Sequence, residues 1–355
     1  MPAFPVPSPG FRGRGADGNP PNRFEALRWE PDPDADPADL PSPRTLFLND
    51  DSRSFLTTND SPDLPFTASC NPYRGCEHGC AYCYARPTHE YLGFSAGLDF
   101  ESRILVKLRA PELLRAELAR PSWKPQAVAM SGVTDCYQPA ERKFRLTRAC
   151  LEVFLDFRNP VGIVTKNHMV TRDADVLGEL ARWGCAKVFV SITTLDGELA
   201  RALEPRTASP RHRLAALAAL RAAGVPCGVM VAPVIPGLND HEIPAILKEA
   251  GAAGAIEAGY VLLRLPHGVK DVFSGWLQRN RPGEREKILG RIRELRGGEL
   301  NDSRFGARMT GIGAGAETLA RLFAVGCRRA GFTGERTRLT TDHFRRVERG
   351  QAELF

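Results

Sequence analysis

The sequence predicts an α/β fold in which six parallel strands alternate with helices, preceded by an extended segment and followed by a mainly helical extension. From about residue 64, short apolar runs alternate with stretches of helical periodicity. This alternation is typical of βαβ units and a parallel sheet. Right-handed crossovers place all the helices on one side of such a sheet if it curls into a barrel.

The predicted strands follow one another along the chain, with helical stretches between most of them. We expect strands over residues 64–69, 127–130, 161–165, 186–192, 227–234 and 256–265. We expect helices over residues 146–157, 173–184, 196–203, 210–224 and 241–254. Ligands of such sheets bind at the C-terminal ends of the strands, so the loops that follow the strands form one mouth.

Three segments differ in composition. Residues 1–45 hold 11 of the 28 prolines and few apolar residues, which predicts a largely extended or disordered segment. Arg23, Phe24 and Trp29 are the side chains in it that could anchor on the body. Residues 60–266 contain the predicted strands, and residues 267–355 are expected to form a mainly helical C-terminal extension.

Composition and charge narrow the class of protein. The chain has 355 residues, of which 43% are hydrophobic and 25% are charged, as in a globular protein. It shows no apolar signal segment at the N-terminus and no window apolar enough to span a membrane, so we expect a cytoplasmic protein without a membrane partner. The net charge is +6, with much of the excess near the C-terminus, where it forms either solvated helix faces or a surface for a polyanion.

The loop after the first predicted strand concentrates cysteines. Cys76, Cys80 and Cys83 are spaced C-x3-C-x2-C, with Gly75 and Gly79 between or beside them. Clustered thiols in a reducing compartment usually indicate metal or redox chemistry. A structural zinc site draws ligand pairs from separated places, although His78 remains a possible fourth ligand. Three cysteines in one loop that wraps around its ligand could each bind one iron of a cubane cluster. The fourth iron would then have no cysteine ligand. Cys70 reads as a buried strand residue.

The string RGCEHGCAYCYAR, with Tyr82 just before the last cysteine, resembles the signature of the radical SAM superfamily. It is most similar to an uncharacterised group within the branch related to spore photoproduct lyase. The resemblance includes GRGADGNPPNRFE near the N-terminus and runs over about residues 13–335. It implies a partial (β/α)6 barrel of the TIM type over residues 60–266.

The resemblance also implies the chemistry. A [4Fe-4S] cluster on the three cysteines would bind S-adenosylmethionine (SAM) at its open iron. One electron, from a flavodoxin- or ferredoxin-like donor, would cleave SAM to methionine and a 5′-deoxyadenosyl radical that abstracts hydrogen from a substrate. The resemblance does not identify the substrate, for which a nucleic acid and a protein are the candidate classes.

Polar residues at the predicted mouth are the candidates for binding SAM. Glu204 and Arg206 are expected to form a charged pair, and the family resemblance assigns SAM contacts to their E-P-R-T stretch. The segment PVIPGLND partly resembles the superfamily loop that passes adenine, with Pro233 and Asp240 replacing the expected Gly and Glu. The full set of candidates is Tyr82, Asp135, Lys166, Ser191, Glu204, Arg206, Ile235 and Asn239. For each of them an ordinary structural role remains open.

The catalytic residue is unknown from the sequence, with Cys136 and Tyr137 as weak candidates. Photoproduct lyases use an additional cysteine as hydrogen donor, and Cys136 follows the second predicted strand, although the register does not equate the two. The alternative function is an iron–sulfur or zinc-stabilised protein that binds or repairs nucleic acid, with DNA lesion repair as one substrate class. The two functions differ in whether one iron is open to SAM.

Overall fold

The computed structural model describes residues 11–25 and 44–347. The other residues of the predicted N-terminal segment, Trp29 among them, lie outside the described residues, as do residues 348–355. The strands are β1 (Leu46–Asn49), β2 (Leu56–Thr58), β3 (Ala68–Cys70), β4 (Tyr73–Arg74), β5 (Arg103–Val106), β6 (Val128–Met130), β7 (Val161–Thr165), β8 (Ala186–Ser191), β9 (Cys227–Val234) and β10 (Glu257–Leu262).

The helices follow the same alternation along the described chain. They are α1 (Leu98–Ser102), α2 (Ala110–Ala119), α3 (Glu141–Phe144), α4 (Leu146–Phe157), α5 (Ala174–Arg182), α6 (Gly197–Leu203), α7 (Pro210–Ala222), α8 (Ile243–Ala252), α9 (Val269–Asn280), α10 (Arg285–Glu294), α11 (Ala307–Thr310) and α12 (Gly313–Arg329). Short 3-10 helices cover Arg86–Leu92, His168–Asp173, Asp240–Glu242 and Pro282–Glu284.

The main sheet contains seven strands in the order β10-β9-β8-β7-β6-β3-β2. Six of them are parallel, as the sequence predicts, and β2 adds an antiparallel edge beside β3. Among the described strands, β10 and β2 are the two edges and do not pair with each other, so the barrel is partial. The predicted α/β partial barrel is therefore confirmed.

The first parallel strand begins later than predicted. Strand pairing starts at Ala68, not at residue 64. Pro65 has no N–H to give to a sheet ladder, and the carbonyls of Phe66 and Thr67 accept from Asn59 instead. The strand therefore delivers Cys70 to its C-terminal end, directly before the cysteine loop.

The helices cover the outer face of the sheet and form the core with it. Val188 and Val190 of β8 are fully buried on this face, as are Leu151 and Phe154 of α4. On the other side of the sheet Val164 of β7 is 41% exposed although its neighbours Ile163 and Thr165 are buried. The inner face of the sheet is therefore accessible, as in a barrel with an internal site.

The described part of the N-terminal segment docks on the barrel in an irregular conformation. The backbone N–H groups of Gly15 and Ala16 donate to the buried carboxylate of Glu101 at 3.0 and 2.9 Å. Arg23 forms an ion pair with Glu90 at 2.7 Å. Ala16 is also buried with Leu98 and Val272, and Phe11 packs against them. The segment therefore docks through both its backbone and its side chains.

Candidate functional site

The cysteine loop follows β3 and turns tightly around its glycines. Gly75 and Gly79 have φ angles of 80° and 65°, which L side chains rarely adopt. A Cβ on Gly75 would also lie 2.9 Å from the ring of His89 and 3.0 Å from the carbonyl oxygen of Phe100. Cys76 N donates to the Phe100 carbonyl at 2.8 Å, which fixes the loop to α1, the helix that leads directly into β5 of the second sheet (β1-β5-β4).

The three thiols of C-x3-C-x2-C converge in this loop. Cys76 and Cys80 are buried and Cys83 is half-buried. Burial raises the pKa of each thiol, and the proximity of the three groups raises the pKa of Cys76 and Cys80 further. The backbone N–H of Asp135 donates to the sulfur of Cys76. The thiols are thus close neighbours in a dry environment.

The donor set suits a cluster better than a single ion. In the described parts of the chain no three His, Cys, Asp or Glu side chains are grouped so as to hold one metal ion. His78 is not turned towards the thiols: its Nδ1 lies 3.4 Å from Asp135 and its Nε2 lies 3.3 Å from the Asn167 amide. Three neighbouring thiolates that do not share one coordination sphere fit the separate iron corners of a cubane.

A buried arginine that the sequence did not single out holds the cysteine loop by hydrogen bonds to its backbone. Arg86 ends the string RGCEHGCAYCYAR, and its guanidinium donates to the Cys80 carbonyl at 3.1 and 2.8 Å. It also donates to the carbonyls of Ala96 and Gly97 and pairs with Glu101. Its place inside a cysteine motif is the signal that could have identified it, because a charged side chain there needs a partner.

Glu204 lies at the centre of the mouth in a buried network. It forms an ion pair with Arg213 and accepts hydrogen bonds from the hydroxyls of Tyr82 and Thr193. Burial alone would raise its pKa, but the positive charges of Arg213 and Lys166 lower it to about 2. Glu204 is therefore an anion held against Tyr82.

The expected pair between Glu204 and Arg206 is wrong. Glu204 points inwards, where Arg213 reaches it from the first turn of α7. Arg206 turns the other way and pairs with Glu77 at 3.2 Å. Sequence spacing suggested the nearer arginine, whereas α7 carries the more distant one back over the carboxylate.

Lys166 is brought to the thiols, as its position after β7 predicts. Its Nζ lies 5.9 Å from the ring centroid of Tyr82, and its charge lowers the pKa of Cys80, Cys83 and Glu204. Ser191 is buried at the end of β8, where its carbonyl accepts from Arg213 at 3.1 Å.

Asp135 and Asn239 are occupied by contacts that join the loops of the mouth. The Asp135 carboxylate accepts from Thr165 Oγ1 and from the backbone of Lys166, both at 2.8 Å. The Asn239 amide accepts from Ile235 N at 2.6 Å and donates to the Thr193 carbonyl at 2.7 Å. Ile235 itself is fully buried against this loop. These three residues position the mouth.

The weak catalytic candidates lie elsewhere. Cys136 and Tyr137 are fully buried in the main core, where Cys136 lies near Cys70. Burial raises the pKa of both side chains well above their usual values. Both side chains are fully buried, and their catalytic role stays a prediction.

Exposed aromatic and arginine side chains form the rim of the mouth. Tyr84 is 44% exposed, donates to the Gly132 carbonyl at 2.8 Å and lies 5.0 Å from the guanidinium of Arg264. Phe305 is 61% exposed and lies 4.6 Å from the guanidinium of Arg308. No recognised motif contains both residues, so the sequence did not identify this rim.

Comparison with known proteins identifies the family. Residues 70–250, which contain the cysteine loop and the strands of the mouth, match the radical SAM superfamily. This chain belongs to that superfamily. Radical SAM proteins use a [4Fe-4S] cluster and SAM, so the chain is an enzyme of the radical SAM type with these cofactors. No helix in the described residues is long and apolar enough to cross a membrane.

This radical SAM enzyme is similar in sequence to an uncharacterised protein and to a named isomerase. An uncharacterised protein of Mycobacterium tuberculosis is 41% identical over 234 residues, which cover 65% of this chain and 68% of that protein. The radical SAM Nalpha-GlyT isomerase of Pseudomonas phage M6 is 27% identical over 198 residues, 53% of this chain and 39% of that enzyme.

Among solved structures, spore photoproduct lyase complexed with dinucleoside spore photoproduct is similar in fold. The TM-score is 0.60 and the sequence identity is 17%, with 81% of this chain and 80% of that chain covered. The likeness supports the partial-barrel fold of this radical SAM enzyme.

Proposed function

We propose that Cys76, Cys80 and Cys83 hold the [4Fe-4S] cluster and that SAM binds at its fourth iron, inside the mouth. The observation that carries this proposal is the convergence of three thiols, two buried and one half-buried, in one loop at the C-terminal end of the sheet. When bound, the cluster and SAM supply a 5′-deoxyadenosyl radical that abstracts hydrogen from a substrate.

The residues around the thiols have separate tasks in this proposal. Lys166 places a positive charge beside Cys80 and Cys83, where the carboxylate of SAM would need a cation. Glu204 is saturated by Arg213 and Thr193 and holds the hydroxyl of Tyr82, so it orients that ring towards the thiols. Ser191, Ile235 and Asn239 shape the wall behind them.

Arg206 has a different task from the one expected. Its ion pair with Glu77 places it beside the residue that follows Cys76. Its side chain is also close to Thr45, at 3.4 Å. We therefore assign Arg206 to fixing the outer side of the cysteine loop, and not to binding SAM.

Single cysteine substitutions test the cluster assignment. Alanine at Cys76, Cys80 or Cys83 is expected to abolish the cluster, whereas Cys70→Ala is the matched control because Cys70 is buried in β3. Iron per chain after anaerobic reconstitution is the measurement. Full iron content in any of the three variants, or its loss in Cys70→Ala alone, would contradict the assignment.

A second measurement tests the reaction. The reconstituted enzyme, reduced with dithionite, is expected to convert SAM to 5′-deoxyadenosine. If an enzyme with a full complement of cluster forms no 5′-deoxyadenosine, even with candidate substrates, the proposed reaction is contradicted.

Nucleic acids are a candidate substrate class, to be tested against proteins and small metabolites. Arginine and aromatic side chains that alternate on the rim, such as Tyr84 with Arg264 and Phe305 with Arg308, are suited to stacking on unpaired bases. The dinucleoside bound to spore photoproduct lyase makes DNA a class worth testing. Faster 5′-deoxyadenosine formation with single-stranded oligonucleotides than with peptides would support it, and no such difference would count against it.

A further inference from the structure

A cationic surface with an exposed aromatic centre lies on the outer side of the cysteine loop. Its residues are Arg44, Phe47, Arg142, Lys143 and Arg145, which we call the Lys143 face. The four basic side chains are exposed, and Phe47 is 37% exposed. Lys143 Nζ lies 5.2 Å from the ring centroid of Phe47. The Phe47 ring in turn lies 5.1 Å from that of Phe144.

Both elements of the Lys143 face are tied to the backbone around Cys76. Thr45, directly before β1, donates to Glu77 at 2.8 Å. Gln138, in the turn that leads into α3, accepts from Glu77 N at 2.9 Å and donates to the Gly75 carbonyl at 3.0 Å. The face is therefore one hydrogen-bonded layer away from the residues on each side of Cys76.

Three carboxylates on and beside these segments already have cationic partners. Glu77 pairs with Arg206, Asp50 with Arg74 at 2.9 Å, and Glu141 with Arg172 at 2.7 Å. Within residues 11–25 and 44–347, the basic side chains of the Lys143 face form no ion pair, and they are exposed to an acidic partner. An apolar centre within a charged rim is typical of surfaces that bind protein partners.

The other sides of the cysteine loop are covered. Gly15 packs so closely that a Cβ on it would lie 1.9 Å from the Gly79 carbonyl oxygen. Buried Arg86, with Ala96 and Gly97, closes the side of Cys80. The mouth itself is where SAM and substrate bind under the proposed function. On the side of Cys76, one layer of hydrogen bonds joins the cysteine loop to the Lys143 face, and this is the side from which a protein could approach the cluster without entering the mouth.

From this arrangement we infer that the Lys143 face docks an acidic electron-donor protein of the flavodoxin or ferredoxin type. The inference rests on the proposed function, because it needs the cluster on Cys76, Cys80 and Cys83. The reduced donor loses one electron and the cluster gains it, with no covalent bond formed or broken. Phe47 and Lys143 make the central contact, and the arginines steer the encounter.

Reduction kinetics of the holoenzyme test the inference directly. Bleaching of the cluster absorbance is followed anaerobically, with no SAM present, after mixing with a photoreduced acidic flavodoxin or with dithionite. The test variant is Arg142→Glu/Lys143→Glu. The matched control is Arg328→Glu/Arg329→Glu, which makes the same charge change on exposed residues of α12, a helix packed on α8.

The test variant is expected to be reduced by flavodoxin about 10-fold more slowly at low salt, because steering by opposite charges is lost. The difference should shrink at high ionic strength. Reduction by dithionite should stay near the wild-type rate in both variants. Arg142→Gln/Lys143→Gln should show an intermediate loss, which separates lost attraction from new repulsion.

The outcomes distinguish the inference from the proposed function. Equal flavodoxin rates in the wild type and the test variant would overturn the inference, as would an equal loss in the control variant. Binding of a single-stranded oligonucleotide that the test variant loses, with donor rates unchanged, would overturn it in favour of nucleic acid. A wild-type protein that carries no cluster on the three cysteines would instead contradict the proposed function.

Discussion

Glu204 and Arg213 form a buried ion pair that sets the orientation of Tyr82 in the mouth. Removing one partner of such a pair leaves the other charge buried and uncompensated. We expect Arg213→Met to lower the free energy of unfolding by about 3–5 kcal/mol, and Glu204→Gln/Arg213→Met to restore most of it. Urea denaturation of the three proteins measures this. A double variant less stable than Arg213→Met would show that the pair is not the cause.

His89 is the residue for which we expect a dependence of stability on pH. Its ring is fully buried between Phe94 and Phe100, and burial lowers its pKa from 6.5 to about 4. Between these values the unfolded chain binds the proton more readily than the folded one, so stability falls as the pH falls. Between pH 7 and pH 5, the protonation of this one group should lower the free energy of unfolding by about 2 kcal/mol.

The measurement for His89 is a comparison of unfolding free energies at pH 7 and pH 5. His89→Gln keeps a donor for the Arg103 carbonyl, which His89 Nε2 contacts at 2.9 Å, but does not titrate. Between pH 7 and pH 5 the free energy of unfolding of the wild type should fall by about 2 kcal/mol more than that of this variant. Carboxylates that titrate in the same interval affect both proteins equally and cancel in the comparison. Identical losses would mean that His89 does not couple to folding.

At the scale of elements, the segment of residues 11–25 is a strap across the cysteine loop. Gly15→Ala would place a Cβ 1.9 Å from the Gly79 carbonyl oxygen, and relief of this clash should cost about 1–3 kcal/mol. The displaced strap should expose the cluster and shorten its lifetime in air, followed by its visible absorbance. Gly18→Ala is the control, since nothing lies within 4 Å of its added Cβ. Equal lifetimes in the two variants would refute a protective role.

Long periodic elements were predictable and short ones were not. The predicted bounds of α4, β7 and β9 match the structure, because apolar runs between clear helix and strand signals leave little choice of register. The two-residue strand β4 and the docking of Gly15 and Ala16 depend on backbone hydrogen bonds to distant partners. The pattern of apolar and polar side chains in the sequence does not predict such contacts.

The site shows the same division at the scale of the whole molecule. The cysteine loop and Lys166 could be placed at the mouth from their positions after strands, because parallel strand ends meet at one edge. The partners of Glu204 could not, because Arg213 reaches it only through the packing of α7 on β8. The burial of Cys136 was not predictable for a related reason, because the loop after β6 packs into the core.

The two edges of the partial barrel are joined by a contact between segments far apart in sequence. Asp63, between β2 and β3, accepts from Gly306 N at 2.8 Å and pairs with Arg308 at 2.6 Å, so the region after β10 is held against the opposite edge. Asp63→Ala should release both segments, and hydrogen–deuterium exchange should become faster in residues 59–64 and 302–311 together. Asp63→Asn, which keeps an acceptor for Gly306 N, should give a smaller increase.

The control for this contact is Asp302→Ala, which removes an ion pair with Arg304, two residues away. Its effect on exchange should stay within residues 302–311, because Arg304 does not connect the two edges. Faster exchange confined to one side in Asp63→Ala would mean that the edges hold their places independently. Joint release would instead show that this pair keeps the open side of the barrel in register, and with it Phe305 at the rim.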